Sequence, residues 1–203
     1  MKMPLSEVTF ALALNLCTFG VSANVLTNPG FEDGLLGWSS SGGAAIRTSN
    51  PTPFEGANYL FGASTPLFTV WQDISLAELG LDASIVDSGT AMIDFGGWQS
   101  GWNTQTDAGQ ISVKFLDENL LEVGTSLLPF FFSNHTWVQQ AGQATVVSGT
   151  RSVRYHFEGV RTGGSNNDAF LDAAYLNVSA VPLPAALVMM LPALLITLRS
   201  RLS

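Results

Sequence analysis

The sequence predicts an all-β body, a two-sheet sandwich, with a short apolar stretch at each end of the chain. Three observations carry this. Apolar and polar residues alternate in residues 70–76 (VWQDISL), 110–116 (QISVKFL), 152–157 (SVRYHF) and 170–178 (FLDAAYLNV), and more weakly in 90–95 and 136–140. Turn-forming clusters separate these runs: Asn28-Pro29-Gly30, residues 39–43, Gly96-Gly97, Asp117-Glu118-Asn119 and residues 163–168. The only helical pattern in the body is a single turn over residues 76–81. Many short strands with glycine-rich turns pack best as two facing sheets.

The body, residues 24–179, has ample length for one domain with its own core. Its basic residues are Arg47, Lys114, Arg151, Arg154 and Arg161, against 15 acidic ones, a net charge of −10. With no Lys/Arg cluster, the composition excludes a nucleic-acid partner, whose phosphates demand a basic surface. An acidic surface of this kind reads as a solubility feature.

The ends read as addresses. Residues 1–23 form a secretory signal peptide: Lys2 before an apolar stretch from Val8 to Val21, then Val21-Ser22-Ala23 as a small-residue cleavage site. Cleavage there removes Cys17, the chain's one cysteine, so no disulfide staples the mature protein. At the other end, Val181-Pro182-Leu183-Pro184 leads into an uncharged run to Leu198, followed by Arg199 and Arg201. Those 18 residues would span roughly 27 Å as a helix, close to the bilayer core. The arginines favour a cytoplasmic C-terminus.

That order of turn, apolar helix and basic end resembles the PEP-CTERM sorting signal, with Leu183 where the usual motif carries Glu. The resemblance implies that residues 180–203 are a sorting segment with a transmembrane helix, recognised by an exosortase in the inner membrane. It implies an exported bacterial protein, anchored in the inner membrane as a precursor and then delivered to the cell surface or extracellular matrix.

The body carries a second resemblance. Residues 24–38 (NVLTNPGFEDGLLGW), residues 53–60 (PFEGANYL) and Leu171-Asp172-Ala173-Ala174-Tyr175-Leu176 resemble the opening, second and closing blocks of carbohydrate-binding modules with the galactose-binding-like jelly roll. This implies a jelly-roll sandwich with first and last strands adjacent. It also implies a structural calcium ion held by Glu32 and Asp172, with backbone carbonyls and Asp33 or Glu55 completing the shell. Calcium takes six to eight oxygens. The alternative is that Glu32 caps a turn and Asp172 faces solvent.

Chemistry-bearing residues are otherwise few. Trp98 and Trp102 flank a polar loop that extends through Asn103, Gln105 and Asp107. A sugar presents C–H faces and hydroxyl rims, so an aromatic platform beside amides and carboxylates is what it requires. Trp98, Trp102, Asn103 and Gln105 are therefore the candidate carbohydrate site, although a bulge at Gly96-Gly97 would turn Trp98 into the core. Trp38, Trp71 and Trp137 read as core or staple positions. His135 and His156 belong to no catalytic triad or metal motif, and no strained nucleophile elbow is present. The expected function is a non-catalytic, polysaccharide-binding surface or matrix protein. A purely structural matrix protein and, more weakly, a small polysaccharide hydrolase are the alternatives.

Overall fold

The alternating runs fold into ten strands. These are β1 (Ser39–Ser41), β2 (Ala45–Arg47), β3 (Tyr59–Phe61), β4 (Leu67–Ser75), β5 (Ala91–Ser100), β6 (Ala108–Leu116), β7 (Glu122–Leu127), β8 (Val138–Thr145), β9 (Ser152–Val160) and β10 (Phe170–Ala180). They form two five-stranded antiparallel sheets in the orders β1-β4-β9-β6-β7 and β2-β3-β10-β5-β8. The structure, a computed structural model, describes residues 23–180. The expected signal peptide of residues 1–23 and the expected sorting tail of residues 180–203 therefore lie, but for Ala23 and Ala180, outside the described residues. Among those described, no helix is long and apolar enough to cross a membrane.

Period-2 alternation decides which way each side chain points. In the first sheet Phe68 and Val70 of β4, Ile111, Val113 and Phe115 of β6, and Val153, Tyr155 and Phe157 of β9 all turn inward. They meet Leu60, Ile93, Phe95, Leu171, Leu176 and Val178 of the second sheet in one core. The Tyr155 hydroxyl crosses that core and donates to Gly96 O at 2.9 Å, so the buried phenol keeps a partner.

The jelly-roll expectation is met, with one difference in how the ends join. The first and last strands belong to different sheets. What lies along β10 is the extended segment before β1: Val25 N donates to Leu176 O at 2.9 Å, and Asn24 bonds Ala174 O and Leu176 N through its side-chain amide. Four residues with φ > 0 within the opening segment (Asn28, Phe31, Gly34 and Gly37) keep it a chain of turns instead of a strand. Phe31 is nonetheless fully buried, stacked on Trp38 at 5.0 Å. The expected helical turn is present as a 3₁₀ turn at Ala77–Leu79. A short helix, α1 (Ala83–Asp87), follows it, capped by the Asp82 carboxylate accepting from Ser84 N and Ile85 N.

Candidate functional site

The outward-facing sides of the two sheets differ sharply. On the second sheet, Tyr59, Phe170 and Asp172 point away from the core yet are fully buried. The segment between β2 and β3 roofs them. Tyr59 donates its hydroxyl to Ser49 O at 2.7 Å, Trp137 Nε1 donates to Thr52 O at 2.8 Å, and Phe54 stacks on Trp98 at 3.8 Å and 14°.

Under this roof lies the carboxylate pair. Asp172 Oδ2 accepts from Phe54 N and Glu55 N, and its Oδ1 accepts from Ala173 N at the β10 bulge. Glu32 accepts from Ala57 N and Asn58 N. The two carboxylates thus grip opposite halves of one loop, residues 54–58. Glu32 is exposed and holds a turn that Gly56 enters at φ 59°. Asp172 is buried, not solvent-facing. Burial pushes its carboxyl up to about 6, against the three amides and with help from the Glu55 charge.

An oxygen-only donor set at a buried carboxylate suits a hard cation such as calcium. Glu55 Oε1 and Asp172 Oδ1 both border Gly30, where an added Cβ would come to 3.0 Å and 3.7 Å of them. Among the described residues no group of three or more His, Cys, Asp or Glu converges. Any ion here would therefore take Asp172 and Glu55 with backbone carbonyls and water, and Glu32 would hold the loop that presents Glu55.

The predicted sugar residues divide between two places. Trp98 lies mid-strand in β5, in unbroken register with Gln139 of β8. The irregularity falls instead on β10, between Asp172 and Tyr175, so Trp98 points away from the core and against Phe54. Trp102 lies beyond β5, with the Arg47 guanidinium 4.9 Å over its ring and His135 edge-on at 4.7 Å. Asn103 is exposed at φ 48°, and Gln105 packs against Gly164 with its Oε1 buried and unpaired. Each indole thus has a protein group against its ring.

The outer face of the first sheet is different, and its rows follow from the strand register. One row runs Ser41, Thr69, Glu158, Gln110; the next Ser39, Trp71, His156, Ser112, Leu127; the third Asp73, Arg154, Lys114, Thr125. Trp71 is the single indole among these thirteen positions, half-buried among hydroxyl, amide, imidazole and charged groups, with exposed Leu127 at the far end of its row. Most polar contacts here stay within the face. Arg154 pairs with Asp73 through two bonds of 2.6 and 2.8 Å, Lys114 reaches Glu122 at 3.5 Å, and Ser112 Oγ lies 3.4 Å from His156 Nδ1. Gln110 reaches out of the face to Leu128 O. The Arg154 guanidinium lies 5.4 Å from the Trp71 ring centroid. Burial, then the Lys114 and Arg154 charges, holds the His156 imidazole down at about 4, so at neutral pH it is an uncharged donor and acceptor.

Trp71 is what sequence reasoning missed. Its alternation phase was available, since Val70 and Gln72 flank it and Phe68 and Val70 are core. The reading of Trp71 as a core or staple residue gave its bulk more weight than its place in the alternation.

No protein-family model and no characterised protein sequence matches the chain. Solved structures do. The carbohydrate-binding module TmCBM61, solved in complex with β-1,4-galactotriose, aligns over 76% of this chain and 98% of its own, with TM-score 0.50 and 21% identity. A family 16 carbohydrate-binding module aligns over 75% and 99%, with TM-score 0.53 and 17% identity. The enzymatically active domain of bacteriophage CBA120 tailspike protein 4 aligns over 76% of this chain but only 21% of its own, with TM-score 0.55 and 14% identity. The fold is the β-sandwich of carbohydrate-binding modules.

Proposed function

We propose that the body is a non-catalytic carbohydrate-binding domain that holds a polysaccharide against the outer face of the first sheet, with Trp71 as the platform. The observation that carries the reading is the row Ser39-Trp71-His156-Ser112, one indole set among hydroxyl and imidazole groups on an uncovered sheet face. Indole stacking takes the C–H face of a sugar ring, while Thr69, Gln110, Glu158 and neutral His156 supply hydrogen bonds to its hydroxyls. The likeness to carbohydrate-binding modules supports this reading at the level of fold. The loop of Trp102, Asn103 and Gln105 is the second location for a sugar, with Trp98 apart from it on β5 against Phe54.

The same proposal takes calcium as a structural ion at Asp172 and Glu55. It places the body on an exported protein whose C-terminal tail, with Pro182, Pro184, Arg199 and Arg201, passes through the inner membrane to an exosortase and leaves the domain at the cell surface or in the matrix. Pull-down on insoluble polysaccharides tests the binding reading. Retention lost in Trp71→Ala and kept in the Trp98→Ala/Trp102→Ala double variant is the expected result. The reverse pattern moves the site to the second sheet, and no retention of the parent protein leaves a purely structural role.

A further inference from the structure

Strand β1 covers the edge of β4 only from Thr69 to Trp71. From Gln72 to Ser75 that edge has no strand beside it in the first sheet, whose order begins β1-β4. The chain before β1 fills part of the gap. The Gln72 side chain holds it there through both amide atoms, accepting from Thr27 N at 3.0 Å and donating to Thr27 O at 2.7 Å. Between this segment, the free edge and the 3₁₀ turn a groove of about 520 Å³ remains, lined among others by Thr27, Ser39, Asp73, Ser75, Glu78 and Leu79. Its size falls within the range of small-molecule sites, about 300–1,000 Å³.

Two of those lining residues belong to the sheet face as well. Ser39 is the register partner of Trp71, and Asp73 lies two positions beyond it on the same side of β4. The groove therefore opens directly off the Trp71 row, at the β1 end. Its lining brings those three hydroxyls and two carboxylates together with apolar Val25, Ile74 and Leu79, beside the Gln72 amide that Thr27 already engages, so a sugar ring would meet both acceptors and an apolar patch.

We infer that this groove is a second sugar subsite, continuous with the Trp71 platform, and that together they select a neutral oligosaccharide of more than two units. The inference rests on the carbohydrate-binding reading and extends it to ligand length and charge. Glu78 at the groove, on a chain of net charge −8 and with the Asp73 charge balanced by Arg154, repels uronate or sulfated chains. Asp73 is already engaged by Arg154, which leaves Glu78 as the exposed acceptor for a ring hydroxyl.

The test is titration calorimetry on the full chain in non-ionic detergent, with β-1,4-linked galacto-, gluco- and xylo-oligosaccharides of two and five units. The parent protein binds one pentasaccharide series at least about tenfold more tightly than its disaccharide. Glu78→Ala and Leu79→Ala, which alter only exposed groove positions outside the Trp71 row, abolish that length advantage and leave disaccharide affinity within about twofold, whereas Trp71→Ala weakens both lengths. A parent with no length advantage, or groove variants that keep it, overturns the subsite and leaves the Trp71 platform standing. Tighter binding of oligogalacturonate than of the neutral series overturns the charge selection. Absence of binding to every probe overturns both the subsite and the carbohydrate reading beneath it.

Discussion

Asp172 and His156 are both shifted by burial, in ways that make the folded state respond oppositely to pH. Asp172 rises to about 6 from an ordinary 3.8, so the folded state keeps a proton that the unfolded chain releases between those values. Its contribution is present below pH 4 and lost as pH rises through 6. His156 falls to about 4 from 6.5, so its contribution is present above 6.5 and lost as pH falls through 4. In metal-free protein Asp172→Asn should remove the loss on the alkaline side, worth up to about 3 kcal/mol, and His156→Asn a loss of similar order on the acid side. Urea melts from pH 4 to 8 check both; a wild-type profile unchanged by either variant contradicts the assignments. Calcium should reverse the Asp172 loss at pH 7, adding about 2.7 kcal/mol at a hundredfold excess over Kd, and should do little at pH 5, where the carboxyl is protonated. Gln99 offers a third residue-scale test. Its amide is buried at a core-facing position of β5 with neither polar atom paired to protein. Gln99→Leu should stabilise by about 1–2 kcal/mol and raise Tm by a few degrees; a fall in Tm means that the amide has a partner.

At the scale of elements, the segment roofing the second sheet is held by few bonds for its length. The Glu32 carboxylate fixes Ala57 and Asn58, while Asp172 fixes Phe54 and Glu55. Glu32→Ala should therefore speed amide hydrogen exchange in residues 54–58 by about tenfold or more, with β10 amides unchanged. Equal acceleration across β10 would show that Glu32 supports the whole sheet. How far these elements were legible in the sequence depends on how many faces each one buries. β4, β6 and β9 alternate cleanly because one face meets the core and the other is largely polar, and they stand out from the sequence; β10 stands out by its length and apolar content, although a bulge and buried outward residues interrupt its alternation. β7 (EVGTSL) does not, because at the sheet edge its inward positions are Gly124 and Ser126 while Val123 and Leu127 are exposed. The roof over Tyr59 and Phe170 was also hidden, since a tertiary cover leaves no mark on local periodicity. So the opening and closing motifs single out Glu32 and Asp172 as ligands of one ion and not as the two holders of residues 54–58, and the polar surroundings of Trp71 become visible only through the pairing of β1, β4, β9 and β6.

For the molecule as a whole, the ends of the chain set its expected destination and the open sheet its task. If export and sorting proceed as the ends imply, the surface form lacks residues 1–23 and also Arg199 and Arg201. Mass spectrometry of the extracellular protein checks this; a surface form retaining Arg201 contradicts processing. The central claim, that sugar binds on the first sheet at Trp71, has a direct reporter in the chain's five tryptophans, each with one indole N–H. Titrating ¹⁵N-labelled protein with the neutral oligosaccharide it retains best should shift the Trp71 indole signal most, and that signal should vanish in Trp71→Phe. A titration in which Trp98 or Trp102 moves while Trp71 stays still would contradict the account.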